Sequence, residues 1–258
     1  MGGNVGDWKF FFPVPEKGYV LELGGGFGDD TVDLAKKATR LISIVPNITN
    51  ALILEKHLRE KNVTNAEVAV VKDITCLPLP DNSIAAIAME DAAAHGFAIS
   101  NLNFPATAAE WRRVLSPGGV VSLGLGNNYD RLFGLDFLRS RFHSRSYPES
   151  LNRYVKRATG RPQSCIFGLR RTIRCMIQQG FDAPTIFSPL PDEKKCEVVI
   201  PAEDPRVIHY FLNNLIRKNS LAVRVGIIAS NVLLKLNLFH TLLPYYFLTF
   251  RLADTKGS

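Results

Sequence analysis

The chain is short of the groups that build disulfide scaffolds and metal centres. Its 258 residues include four cysteines, Cys76, Cys165, Cys175 and Cys196, with no Cys-x-x-Cys spacing and no histidine at ligand distance. Neither a disulfide framework nor a zinc or other metal site is expected, and a reducing cytoplasm is the simplest compartment. Residues 1–6 lack the basic-then-apolar layout of an export signal. No charge-free run reaches the roughly 18 apolar residues that span a bilayer, because Lys235 and Pro244 interrupt the longest candidate. Acid is missing from one whole region: 205–253 holds Arg206, Arg217, Lys218, Arg224, Lys235 and Arg251 and no Asp or Glu.

What is present is ordinary globular material. The hydrophobic share is 46%, and the length suits one substantial α/β domain with an accessory region. The formal charge of +7 is concentrated, since 131–161 carries eight basic residues against Asp136 and Glu149. Such a segment either meets an anion or is a solvated surface.

The most informative stretch is Val20-Leu21-Glu22-Leu23-Gly24-Gly25-Gly26-Phe27-Gly28, an apolar strand with one acid followed by glycines. Glycine removes Cβ, so the backbone can approach a ligand closely and take φ > 0 in the turn. The spacing Glu22-x-Gly24-x-Gly26-x-Gly28 differs from the dinucleotide fingerprint. The Asp29-Asp30 pair that opens the next helix would also repel a pyrophosphate at a helix N-terminus.

Downstream, the periodicity predicts a helix at 31–38, a strand at 41–45, a helix at 48–61 that packs through Leu52, Leu54 and Leu58, and a strand at 68–71. A strand at 84–89, a helix at 106–115 and a strand at 120–125 follow. This alternation predicts a parallel sheet covered on both faces, with ligand beyond the carboxyl ends of its strands.

Two further motifs stand in order behind the glycines: Asp73-Ile74-Thr75-Cys76-Leu77-Pro78-Leu79-Pro80-Asp81-Asn82-Ser83, then Trp111-Arg112-Arg113-Val114-Leu115-Ser116-Pro117-Gly118-Gly119. Together the three resemble the motifs of class I S-adenosylmethionine-dependent methyltransferases of the small-molecule, type 11-like kind. The resemblance covers roughly residues 18–125. It implies a Rossmann-like, doubly wound α/β sheet of seven strands, mostly parallel with an antiparallel last strand, and S-adenosylmethionine as cofactor. It puts the methionine end of the cofactor on Glu22, Gly24, Gly25, Gly26 and Gly28, and the adenine on Asp73 and Ile74. One position departs from the family. The acid that ends strand two and grips the ribose is replaced by Val45-Pro46-Asn47, which leaves Asn47 as a neutral and weaker acceptor.

Candidate chemistry follows strand four, at Glu90, Asp91 and His95. An imidazole titrates near working pH, so His95 is the first choice of base for a hydroxyl acceptor; the same position equally suits a residue that caps or packs a helix start. Asp91 either assists or caps that helix, Glu90 is assigned to the cofactor, and His143 is a weaker alternative base. Met89-Glu90-Asp91-Ala92 is unlike the polar-Pro-Pro-aromatic passage of amino-directed nucleic-acid methylation, so no nucleic-acid partner is expected.

Four parts are expected. They are an N-terminal segment at 1–17, the cofactor-binding core at 18–126, a lid over the acceptor at 127–167, and a C-terminal part at 168–258 that completes the sheet. The lid interleaves Tyr129, Phe133, Phe137, Phe142, Tyr147 and Tyr154 with arginines, and the alternative there is an amphipathic helix pair facing the sheet. In the C-terminal part a helix at 169–179 ends in Gly180-Phe181, strands lie at 185–188 and 246–252, and a basic, apolar helical insertion occupies about 190–244. On a helical projection of 221–238, Arg224, Asn231 and Lys235 form one narrow polar stripe. Such a helix lies on an anionic membrane surface or packs in a protein groove, against the sheet or a second subunit of a homodimer. The tail also resembles that of methyltransferases associated with cell-envelope glycans and lipids. The expected activity is methyl transfer at oxygen to a small anionic, lipid-linked or sugar-linked acceptor, in the cytoplasm or peripherally on the inner face of the membrane. The alternative is a methyltransferase-like binding or scaffolding module without catalysis.

Overall fold

The computed structural model describes residues 12–25, 28–90, 97, 99, 103–126, 169–190, 198–202, 204–210, 213–214, 224, 227–228, 231–232, 234–235 and 245–253. Strand β1 (Tyr19–Leu23) leads through α1 (Asp29–Ala35), β2 (Arg40–Val45) and α2 (Ile48–Glu60) to β3 (Ala66–Val70). The chain continues as β4 (Ile84–Glu90), α3 (Phe104–Val114) and β5 (Leu115–Gly126). After α4 (Leu169–Gln178) come β6 (Thr185–Leu190), β7 (Val198–Pro201), α5 (Pro205–Tyr210) and β8 (Tyr245–Arg251).

Among the described residues the strands form one eight-stranded sheet in the order β3-β2-β1-β4-β5-β8-β6-β7. Strand β1 runs parallel to both β2 and β4, and β8 enters antiparallel between β5 and β6. Seven of these strands make the expected doubly wound sheet with its antiparallel last strand. The eighth, β7, is an addition inside the expected insertion, four residues paired antiparallel to β6 at the sheet edge. From β1 the chain builds outward through β2 and β3, then returns to place β4 on the other side of β1. This reversal is a topological switch point, and it opens a crevice at the carboxyl ends of β1 and β4.

Strand alternation sorts the core into layers. Leu21, Leu23, Ile87 and Met89 share a layer with Phe104 and Trp111 of α3, whereas Val20, Ala86 and Ala88 share one with Leu34 and Ala35 of α1. Fully buried Trp111 meets Phe104 edge-on with ring centroids 5.8 Å apart, worth about 1 kcal/mol beyond the area it buries.

Helix α2 starts at a capped residue, because Asn47 Oδ1 accepts the Asn50 N–H at 2.9 Å. It buries Ala51, Leu54 and Leu58. Leu52, expected to pack, is instead 61% exposed. The inward face is set by 51, 54 and 58, and Leu52 lies about 100° round the helix from Ala51. The expected glycine-phenylalanine corner closes α4: Gly180 sits at φ +87°, and the Phe181 N–H donates to the Met176 carbonyl oxygen at 3.2 Å.

The two downstream motifs meet through one side chain. The Arg113 guanidinium donates to the carbonyl oxygens of Leu77 at 3.0 Å and Leu79 at 2.9 Å, to Glu110 Oε2 at 2.8 Å, and to Asp81. Glu110 Oε1 in turn accepts the Leu77 N–H at 2.6 Å. Helix α3 therefore clamps the loop that carries the chain from Asp73 to β4. The Arg113 hydrogen bond holds the Glu110 carboxyl below its ordinary range, and Glu110 and then Asp81 raise the guanidinium above its own.

Arg113→Met leaves Glu110, 8% exposed, without its cation and should cost about 3 kcal/mol in denaturant unfolding; a loss under about 0.5 kcal/mol would refute the clamp. Glu110 titrates lower when folded, so its contribution is complete above the ordinary 4.5 and is lost as pH falls through the lower folded value. The stability gap between wild type and Glu110→Gln should accordingly shrink as pH drops below 4.5.

Candidate active site

The residues with chemistry gather at the carboxyl ends of β1, β2, β3 and β4. Beyond β1 the chain turns at Gly24, φ +84°, whose N–H donates to the Ile44 carbonyl oxygen at 2.8 Å. It enters α1 at Gly28, φ +101°, whose N–H donates to the Gly25 carbonyl oxygen at 2.8 Å. Only glycine holds these positive angles without strain.

Gly25 is restricted from beneath. A Cβ there would lie 2.5 Å from Ser43 Oγ and 2.6 Å from Thr31 Oγ1. Those two hydroxyls share a partner: each donates to Glu22 Oε2 at 2.6 Å, and all three side chains are buried. Glu22 and Ser43 face each other in the β1–β2 register, and Thr31 descends from the first turn of α1. A buried carboxyl is costly without hydrogen bonds, so this polar plug fixes the distance between sheet and helix and with it the turn above. Glu22, read from the sequence as a cofactor contact, is placed here as the support of the glycine turn.

The far end of the turn is held by α2. A Cβ on Gly28 would come within 2.9 Å of both His57 Cδ2 and Leu54 Cδ1, and His57 Nε2 lies 3.1 Å from Asp29 Oδ1 at the start of α1. Beyond β3, exposed Asp73 accepts the Thr75 hydroxyl at 2.7 Å and the Thr75 N–H at 2.9 Å through Oδ1. These two bonds, the hydroxyl first, hold its carboxyl below the usual aspartate range, so Asp73 offers an ionised acceptor. Ile74 beside it is seated in the core at 2% exposure.

At the end of β2, Val45 is fully buried among Val32, Ala51, Leu54 and Leu58, where it seats α1 against α2. Asn47 is exposed, and its amide oxygen already caps α2. Glu90 closes β4 opposite Gly124 of β5. Gly26, Asp91, His95, His143 and the expected lid at 127–167 lie outside the described residues. Sequence reasoning missed Ser43, Thr31 and His57. Ser43 had a signal, being one hydroxyl inside the aliphatic run Leu41-Ile42-Ser43-Ile44-Val45.

An acidic first turn at Asp29 and Asp30 and ionised Asp73 suit a cationic ligand that carries an amino-bearing ring. Residues 20–119, from β1 through the Gly118-Gly119 turn, match the family model described as a methyltransferase domain. That stretch is a methyltransferase domain. No curated protein matches it. Among solved structures, the chain is similar in fold to the cyclase SpnF, with TM-score 0.54 and 17% identity over 93% of this chain and 77% of that one. It is also similar to geranyl diphosphate C-methyltransferase from Streptomyces coelicolor, with TM-score 0.52 and 13% identity over 93% and 75%. Phosphoethanolamine N-methyltransferase 2 of Haemonchus contortus gives 0.55 and 17% over 97% of this chain and 52% of its own length. At these identities the likeness is one of fold.

Gly25→Ala drives a methyl group into the two hydroxyls and should cost about 1–3 kcal/mol. Removing one of them as well, in Gly25→Ala/Ser43→Ala, should return part of that loss. Denaturant unfolding of both single variants and the double variant measures the coupling, and purely additive losses would contradict the placement of Ser43 beneath the turn.

Proposed function

We propose that this methyltransferase moves the methyl group of S-adenosylmethionine to an oxygen of a small anionic, lipid-linked or sugar-linked acceptor in the cytoplasm. The observation that carries the reading is the glycine turn seated on Glu22, Thr31 and Ser43 at the switch point, inside the matched methyltransferase domain. When bound, the cofactor supplies a sulfonium methyl already activated for in-line displacement. The protein has to hold and orient. Gly24, Gly25, Gly26 and Gly28 take the methionine end, Asp73 the adenine amino group with Ile74 beside it, Asn47 the ribose, and Glu90 a further polar contact at the end of β4. Such positioning can supply about 7–11 kcal/mol of barrier reduction. His95 takes the proton of the acceptor hydroxyl, assisted by Asp91. The arginines and aromatics of 127–167 receive the acceptor, guanidinium forks matching phosphate or carboxylate.

An anionic acceptor is in keeping with two fold neighbours named for geranyl diphosphate and phosphoethanolamine. Those neighbours are a C- and an N-methyltransferase, so the choice of oxygen rests on His95. A second reading, a binding or scaffolding module, draws on Val45, buried where a ribose-gripping acid would stand, with Asn47 engaged as a cap. A neighbour named as a cyclase is a reminder that this fold hosts other chemistry.

Radiolabelled S-adenosylmethionine with a panel of hydroxylated phosphates and carboxylates should yield labelled product. His95→Ala should lower kcat by at least about a hundredfold with little change in KM for the cofactor. Unchanged turnover in that variant removes the proposed base, and cofactor binding without transfer to any acceptor favours the module.

A further inference from the structure

One edge of the sheet is left open. Strand β3 is terminal in the strand order and pairs with β2. The Leu41 N–H donates to the Asn65 carbonyl oxygen at 2.9 Å, and the Val71 N–H to the Val45 carbonyl oxygen at 3.0 Å. Odd-numbered residues of this stretch therefore turn their backbone groups towards β2. The N–H and C=O groups of Ala66, Val68 and Val70 point the other way, off the sheet, and among the described residues no strand lies beyond them.

Helix α2 is apolar on the flank beside this edge. It shares a core layer with Val32 of α1 and Val68 of β3, so both helices cover the same face of the sheet. His57 of α2 faces Gly28 and Asp29 on the α1 side. At about 100° per residue, Ile48, Leu52, Glu55 and Arg59 lie on the opposite flank, towards the open edge. Ile48 is 62% and Leu52 61% exposed, and Val70, on the same face of β3 as Val68, is 43% exposed. The charge in this stripe is already paired, because Arg59 donates to Glu55 at 3.3 Å.

We propose that two copies of this chain join edge to edge, β3 running antiparallel to its own copy across a two-fold axis at Val68. This inference is independent of the reaction catalysed. The edge is complementary to itself. An axis at Val68 sets Val68 against Val68 and Ala66 against Val70, and each such pair exchanges two hydrogen bonds. On the other face Glu67 then meets Ala69 and not a second Glu67, while Lys72 meets Thr64, so like charges are not opposed. The axis stands normal to the sheet and keeps both α2 helices on one face, where the flanks carrying Ile48 and Leu52 turn towards each other. Residues 47–73 hold four cations and four acids in a chain of +7, so this edge approaches its copy without net repulsion. An unrelated strand offers backbone groups alone; a second copy brings the strand and the matching helix flank together.

Sedimentation velocity of the full chain between about 1 and 100 μM should show monomer in exchange with dimer. Hydrogen exchange should slow in 64–72 as dimer accumulates, with no such change in 84–90. Val70→Pro is compatible with the fold, since the lost N–H points off the edge. It deletes a donor at each end of the pairing and should weaken association at least about tenfold. Leu52→Lys/Val70→Lys should weaken it by a similar factor or more. Ile53→Lys, about 100° round the helix from Leu52 and 42% exposed, should leave it unchanged. Circular dichroism checks that each variant is folded. Monomer throughout the range overturns the proposal. So does a dimer that survives both edge variants, that leaves exchange in 64–72 unaltered, or that Ile53→Lys disrupts equally.

Discussion

A carboxyl group sealed inside the sheet, with two hydroxyls on one of its oxygens, is the interaction on which the rest of the site stands. Glu22 comes from β1, Ser43 from β2 and Thr31 from α1, so three elements are tied at one point immediately below the glycine turn. An aliphatic filling there would tolerate small shifts. Hydrogen bonds at 2.6 Å do not, and a buried polar network that is only partly satisfied is worse than none. The turn inherits that rigidity, since a Cβ at Gly25 would collide with both hydroxyls.

A second polar network lies at the other end of the sheet, beside the amino ends of β4 and β5. Arg113 reaches from α3 to two carbonyl oxygens and two carboxylates around the 77–81 loop, just downstream of Asp73. The loop that descends from Asp73 to β4 is therefore fixed at its far end by directional bonds to a rigid helix. At the end of β2, Val45 serves packing. It closes the seat between α1 and α2, and the end of β2 presents a capped Asn47 in place of a carboxylate.

The alternation of apolar strands and helices was enough to read the parallel sheet and the crevice, because each strand is a short aliphatic run ending in glycine, acid or turn residues, and the family resemblance supplied the antiparallel last strand. The long-range polar contacts were not readable in the same way. Glu22, Thr31 and Ser43 are separated by 9 and 21 positions, and only the register of β1 on β2 makes them neighbours. The face of α2 was ambiguous because apolar residues stand at 48, 51, 52, 53, 54 and 58, so that packing and not periodicity chose Ala51 over Leu52. Strand β7 is four residues long at a sheet edge, too short for an alternation signal. Asn231 looked like a surface residue until Asn213 supplied its partner.

The function turns on whether the seated turn accepts a sulfonium cofactor despite the neutral end of β2. Calorimetric titration of the full chain with S-adenosylhomocysteine, alongside NAD, decides it. One saturable site for S-adenosylhomocysteine and no heat with NAD is the predicted result, since Asp29 and Asp30 stand where a pyrophosphate would have to lie. No heat with S-adenosylhomocysteine at high concentration, or comparable binding of NAD, would contradict it.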